Sequence, residues 1–186
     1  MMTREVIQDA ENKMKKSIES AKREFGEVRT GRAHPGLIEG LHVDYFGTLT
    51  LVKQLASISI PDPKTIFIQP WDASVIPEIE KAISNSKMGG SPSNDGKIVR
   101  VSIPALSEER RDELKKVVKE MAERSRISLR TIRRDANDHL KKLELEKKAS
   151  EDEIKRALDE VQKLTDRHIK EVDFLLEEKN KVLTAH

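Results

Sequence analysis

The chain has 186 residues, 37% charged, 36% hydrophobic and 3% aromatic, with a formal net charge of +2. That apolar content suffices for a modest core, and the near-neutral charge means that any attraction to nucleic acid must come from a local patch rather than a global field. The lack of cysteine excludes disulfides, thiol catalysis and cysteine metal sites. No apolar run reaches signal-peptide or membrane-span length, so the expectation is a soluble, cytoplasmic chain with no membrane partner.

In chain order, Ile7, Ala10, Met14, Ile18, Ala21, Phe25 and Val28 step by three and four, predicting an amphipathic helix from residue 3 to 29, N-capped by Thr3 with Glu5 in its first turn. The composition then changes at Thr30-Gly-Arg-Ala-His-Pro-Gly36, which no continuous helix tolerates. Short alternating or β-branched runs follow at residues 41–45, 49–51, 58–60, 65–69 and 97–103, with Gly47 as a turn. Between the last two runs, Asp72 can cap a helix carrying Val75, Ile76, Ile79, Ala82 and Ile83, with Pro77 in its early turns.

Residues 107–148 contain neither Gly nor Pro, and Leu114, Val118, Met121, Ser125, Leu129, Ile132, Ala136, Leu140 and Leu143 form one helical stripe. Such a helix is roughly 60 Å long, more than a compact domain of this size spans, and needs mates alongside. Ser150 and Glu153 form a capping box that starts a third helix, with Ile154, Leu158, Val161, Leu164, Ile169, Val172 and Leu176 on one side. The short turn before it makes the two long helices antiparallel neighbours.

The fold class is therefore α+β. A long antiparallel three-helix bundle takes residues 1–30 and 105–186, and residues 31–104 are an inserted α+β domain. The chain leaves the helical body once and returns once. Thr30, Gly31, Arg32, Ala33, His34 and Pro35 on one side, and Ser102, Ile103, Pro104 and Ala105 on the other, thus form a two-stranded hinge. The alternative is a rigid junction where Gly31 and Pro104 merely end helices.

The long helix has a second, cationic face. No Asp or Glu interrupts residues 124–134, and Arg126, Arg130, Arg133, Arg134 and Asn137 share a sector turned away from Leu129, Ile132 and Ala136. Guanidinium forks suit phosphate. Arg29 and Arg32 flank Gly31 and would extend this ridge if the first helix packs in register. With about four to six phosphates engaged, binding would fall with salt at a log-log slope of about −3 to −5. Base stacking on an aromatic platform is not expected from one Trp and one Tyr.

Nothing converges on catalysis. His34, His42, His139, His168 and His186 are scattered without metal-ligand spacing, there is no Gly-rich phosphate loop, and no serine sits in a nucleophile elbow. Each histidine reads as a surface or partly buried imidazole. The expectation is no enzyme, no metal and no cofactor. Two competing readings stay open: a structural or chaperone-like helical module with solvated arginines, and a small hydrolase using His34, His42 or Asp44.

Val28-Arg-Thr-Gly-Arg-Ala33, Val43-Asp-Tyr-Phe-Gly47, Gln54-Leu-Ala56, Glu80-Lys-Ala-Ile83, Glu108-Glu-Arg-Arg111, Arg130-Thr-Ile-Arg-Arg-Asp135 and Gln162-Lys-Leu-Thr-Asp166, in this order over nearly the whole chain, resemble the ribosome recycling factor family. The resemblance implies a near-L-shaped monomer of tRNA-like dimensions, with a three-helix bundle and a small βαβ sandwich on a flexible elbow. It also implies a role after translation termination: binding the post-termination ribosome and, with elongation factor G and GTP, splitting it into subunits. Carried over by position, the contacts to large-subunit ribosomal RNA fall on Arg29, Gly31, Arg130 and Arg133, with Arg32 and Arg134 adjacent. Gly31 would let the backbone approach a phosphate, or would only end a helix. Leu164 and Thr165 would serve packing. Leu49, Thr131, Lys87 and Gly90 depart from the usual residues and bear on the packing of the insert rather than on the ridge.

Overall fold

The structure, a computed structural model, describes residues 2–86 and 90–184; Lys87 and His186 lie outside the described residues. The elements run α1 (Thr3–Glu27), α2 (Gly36–Glu39), β1 (His42–Tyr45), β2 (Thr48–Leu51), α3 (Val52–Leu55), β3 (Ala56–Asp62), β4 (Thr65–Pro70), a 3₁₀ turn (Ala73–Val75), α4 (Ile76–Asn85), β5 (Ser91–Asn94), β6 (Val99–Ser102), α5 (Glu108–Leu145) and α6 (Glu151–Thr184). They divide into two compact units, residues 2–29 with 108–184, and residues 30–107.

The first unit is the three-helix bundle. Val6 and Ala10 of α1 share one core cluster with Ala136, Leu140 and Leu143 of α5 and Ile154, Ala157 and Val161 of α6. Further along, Met14, Leu129 and Val172 are fully buried. The stripe of α5 buries Leu114, Val118, Leu129, Ala136, Leu140 and Leu143 as expected, but Ala122 is buried in place of Met121, and Ser125 and Ile132 are only partly buried; that of α1 buries Val6 in preference to Ile7. Met2 rather than Thr3 is the N-cap, because the Glu5 carboxylate accepts the Met2 N–H at 2.9 Å. The capping box of α6 is reciprocal: Ser150 N–H donates to Glu153 at 2.9 Å, and Glu153 N–H donates to Ser150 Oγ at 3.2 Å.

One histidine departs from the expected surface or partly buried setting. His168 is buried among apolar neighbours in α6, as are Leu164 and Thr165. The core admits these polar groups because each is satisfied within its own helix. His168 Nδ1–H donates to the Leu164 carbonyl at 2.7 Å and Thr165 Oγ1 to the Val161 carbonyl at 2.8 Å.

In the second unit, an antiparallel four-stranded sheet of order β3-β4-β6-β5 and a separate β1-β2 hairpin flank α4, which packs against both. Ile66 and Ile68 of β4, Val99 and Val101 of β6, Ile79 and Ile83 of α4 and Val43 of β1 fill the core between them. This is the β, α, β layering implied by the family resemblance. Strand β5, Ser-Pro-Ser-Asn, has low β propensity and is not expected from sequence; its pairing with β6 defines it, and Pro92 is tolerated at the sheet edge. Strand β6 starts later than its apolar run because Asp95 accepts the N–H groups of Lys97 and Ile98, folding those residues into a turn. These bonds hold the Asp95 carboxyl below the usual carboxylate range. Leu49 is exposed on the hairpin, so its departure from the family pattern does not touch the core.

Several residues expected in the hinge are fastened inside this unit. Ala33 N–H donates to the Pro63 carbonyl at 2.7 Å and Ile103 N–H to the Lys64 carbonyl at 2.8 Å, tying both ends of the unit to the β3–β4 turn. His34 Nδ1 accepts the Gly36 N–H at 2.9 Å, Pro35 caps α2, and Ser102 is the last residue of β6. Between these ties and the bundle lie the connecting residues 30–32 and 104–107. Within them Gly31 has φ +72°, and a Cβ there would stand 2.9 Å from Leu106 Cγ. Backbone conformation and contact both exclude a side chain. Gly31→Ala should destabilise this unit by about 1–3 kcal/mol, read from thermal unfolding followed by the fluorescence of Trp71, the chain's single tryptophan. An unchanged midpoint would show that the Gly31–Leu106 approach carries no constraint.

Candidate nucleic-acid interface

Helix α5 carries the cationic face, and the structure sorts its arginines into two kinds. Arg126 is a clasp between helices. Its Nε and Nη2 donate to Asp173 Oδ1 of α6 at 2.9 and 2.6 Å, and its Nη1 to Glu123 Oε2 at 3.2 Å. Its side chain is only 19% exposed. Burial opposes the charge, but the bonds to Asp173 and Glu123 outweigh it and raise the guanidinium pKa above its ordinary value. Arg126 thus belongs to the bundle's architecture rather than to a free ridge.

Arg130 is 39% exposed, and its Nη1 donates to Glu123 Oε1 at 3.3 Å. The expectation of an arginine run without acidic neighbours is corrected here. Glu123 reaches forward two turns, as an arginine side chain leaning toward the helix N-terminus permits, and Asp173 reaches across from α6. Arg133 and Arg134, half-exposed and exposed, pair with no acid among the described residues. Asn137, in the same sector, has its Oδ1 buried without a partner among the described residues. Ile127 is 53% exposed on this side of α5. It stands off the three-four stripe, so periodicity gives it no place in the core.

The packing register places Arg29 apart from these groups. Ser17 Oγ donates to Ser128 Oγ at 3.3 Å, and Val6 and Ala10 cluster with Leu140 and Ala136, so α1 runs antiparallel to α5. The end of α1 comes level with about Val118, roughly 18 Å along the axis from Arg130. Arg29 therefore does not sit beside the central arginines. It is exposed and unpaired among the described residues. Gly31 and Arg32 belong to the second unit, where Arg32 is exposed.

The groups a hydrolase would need serve local turns. His34 takes the Gly36 N–H, Asp44 accepts the Gly47 N–H at 2.8 Å to close the β1–β2 hairpin, and His42 is exposed on β1. Among the described residues, no three His, Asp or Glu side chains are grouped to hold a metal ion. Among them, too, no helix is long and apolar enough to cross a membrane.

The architecture defines a class: α+β proteins in which a three-helix bundle is interrupted after its first helix by a unit of two antiparallel sheets around a helix. The sequence model of the family described as ribosome recycling factor matches residues 21–183, spanning both units. The chain is 48% identical over 180 residues to the ribosome-recycling factor of Natranaerobius thermophilus, covering 97% of this chain and 98% of that one. It is 52% identical over 178 residues to that of Pelotomaculum thermopropionicum, covering 96% of each. A solution structure of the ribosome recycling factor superposes with a TM-score of 0.80 at 38% identity, with both chains fully covered. A second similar structure, at a TM-score of 0.69, 42% identity and full coverage of both chains, comes from models of the T. thermophilus factor and E. coli elongation factor G bound to the E. coli post-termination complex. This chain belongs to the ribosome recycling factor family.

Proposed function

We propose that this protein recycles ribosomes after translation termination, binding the post-termination ribosome through large-subunit ribosomal RNA and, with elongation factor G and GTP, promoting its separation into subunits. The observation that carries the RNA-binding part is the pair Arg133 and Arg134 on the outer face of α5, two guanidinium groups without an acidic partner among the described residues. Arg130 lies one turn before them and uses one of its five N–H donors on Glu123. These three arginines form the core of the interface, with Arg29, Gly31 and Arg32 as a separate set of contacts. The solved relative on a post-termination complex with elongation factor G supports the partners.

The mechanism is mechanical rather than chemical. The bundle anchors to phosphates, while the inserted unit, connected through residues 30–32 and 104–107, receives force from the translocase and disrupts intersubunit contacts. The protein works as a monomer in the cytoplasm and needs no cofactor of its own, GTP being consumed by the translocase.

The test is light scattering of post-termination ribosomes mixed with a matched elongation factor G and GTP, with and without this protein. A drop in scattering that requires the protein supports the proposal. Unchanged scattering with folded protein would overturn it and favour a helical module that acts elsewhere.

A further inference from the structure

An acid sits inside the arginine face of α5. Glu123 divides its carboxylate between two arginines, Oε1 accepting from Arg130 at 3.3 Å and Oε2 from Arg126 at 3.2 Å. Arg126 cannot swing away with it, because Asp173 of α6 holds its Nε and Nη2. The chain Asp173–Arg126–Glu123–Arg130 fixes a negative charge at one end of the cationic face. Beyond Arg130, toward the helix C-terminus, Arg133 and Arg134 form no ion pair among the described residues.

We propose that Glu123 is a specificity-determining residue that ends the phosphate-binding ridge at Arg130. The inference rests on the phosphate-binding reading above. A carboxylate and a phosphate compete for the same guanidinium donors, and two anions at one site repel. A phosphate approaching Arg126 therefore meets Glu123 and Asp173 already in place. One approaching Arg133 or Arg134 meets open donors, and Arg130 offers its remaining N–H groups on the side away from Glu123. The RNA backbone is admitted in one register along α5, and generic RNA, which would profit from a longer cationic strip, is disfavoured. Glu123 is itself about half exposed, so the effect is one of electrostatic selection, not of helix stability.

The test uses Glu123→Gln and Arg133→Glu in the full chain, with fluorescence anisotropy against a generic RNA duplex of about 20 base pairs and against large ribosomal subunits, between about 50 and 200 mM salt. Glu123→Gln should bind the generic duplex about three- to tenfold more tightly. Its log-log salt slope should steepen by about one to two, and its preference for the ribosomal subunit should fall. Glu123→Ala should behave alike, since the carboxylate is the active feature. If Arg133→Glu weakens binding while both Glu123 variants leave generic affinity and slope unchanged, the boundary role is overturned and the ridge stands. If Arg133→Glu also binds both RNAs as the wild type does, the ridge reading itself is overturned.

Discussion

Arg133→Glu should reduce affinity for the ribosome about tenfold or more while leaving the fold intact. The side chain lies outside the buried stripe of α5 and makes no ion pair among the described residues, so its replacement costs the bundle no contact beyond its aliphatic stem. A surface change of this kind shifts stability by about 0.5 kcal/mol or less. At the proposed RNA interface, the same substitution would remove a charge-assisted hydrogen bond worth about 1.5–3 kcal/mol and place a carboxylate against phosphate. Helicity and melting temperature measured beside ribosome binding separate the two effects. Loss of binding together with loss of helicity would show that Arg133 supports the bundle, and wild-type binding would show that the anchor lies elsewhere.

Leu129→Asp should unfold the bundle or come close to it. Leu129 is fully buried, so a carboxylate placed there is cut off from water. The substitution removes a leucine side chain, worth about 2–5 kcal/mol, and adds the burial of a charge or its protonation. That loss rivals the whole stability of a domain, about 5–15 kcal/mol. Sequence periodicity alone nominates Ile132→Asp for the same result. The structure instead places Ile132 at the margin of the core cluster, partly exposed, so a carboxylate there can reach water. Thermal unfolding followed by circular dichroism should therefore rank Leu129→Asp well below Ile132→Asp. Equal losses would show that the two positions are equally enclosed and that the assigned face of α5 is wrong.

Features carried by short-range physics are legible in the order of residues alone. The three-four spacing of apolar residues marks out α1, α5 and α6, because a helix repeats its face every three to four residues whatever surrounds it. The Ser150–Glu153 capping box is a contact over three residues, and the Gly- and Pro-rich break after residue 29 marks where α1 must end. The cationic sector of α5 follows from the same geometry.

Tertiary structure decides what depends on residues far apart in the chain. Whether Arg126 is free for phosphate is settled by Asp173 on another helix, which ties it into the bundle, whereas the Glu123–Arg130 pair is made within α5, two turns apart on one face. The register of α1 on α5 separates Arg29 from the central arginines, because packing matches side-chain shape between helices and periodicity specifies only which face packs, not the level at which it does so. Burial of His168 likewise follows from three helices closing around a polar residue whose hydrogen bond stays within its own turn. Strand β5 exists only because β6 offers it a ladder, and a side chain at Gly31 is costly because Leu106, distant in the chain, occupies the space it would take. Local sequence determined the three long helices and the sign of their faces; the distances between elements decided which of those charges remain available to a partner.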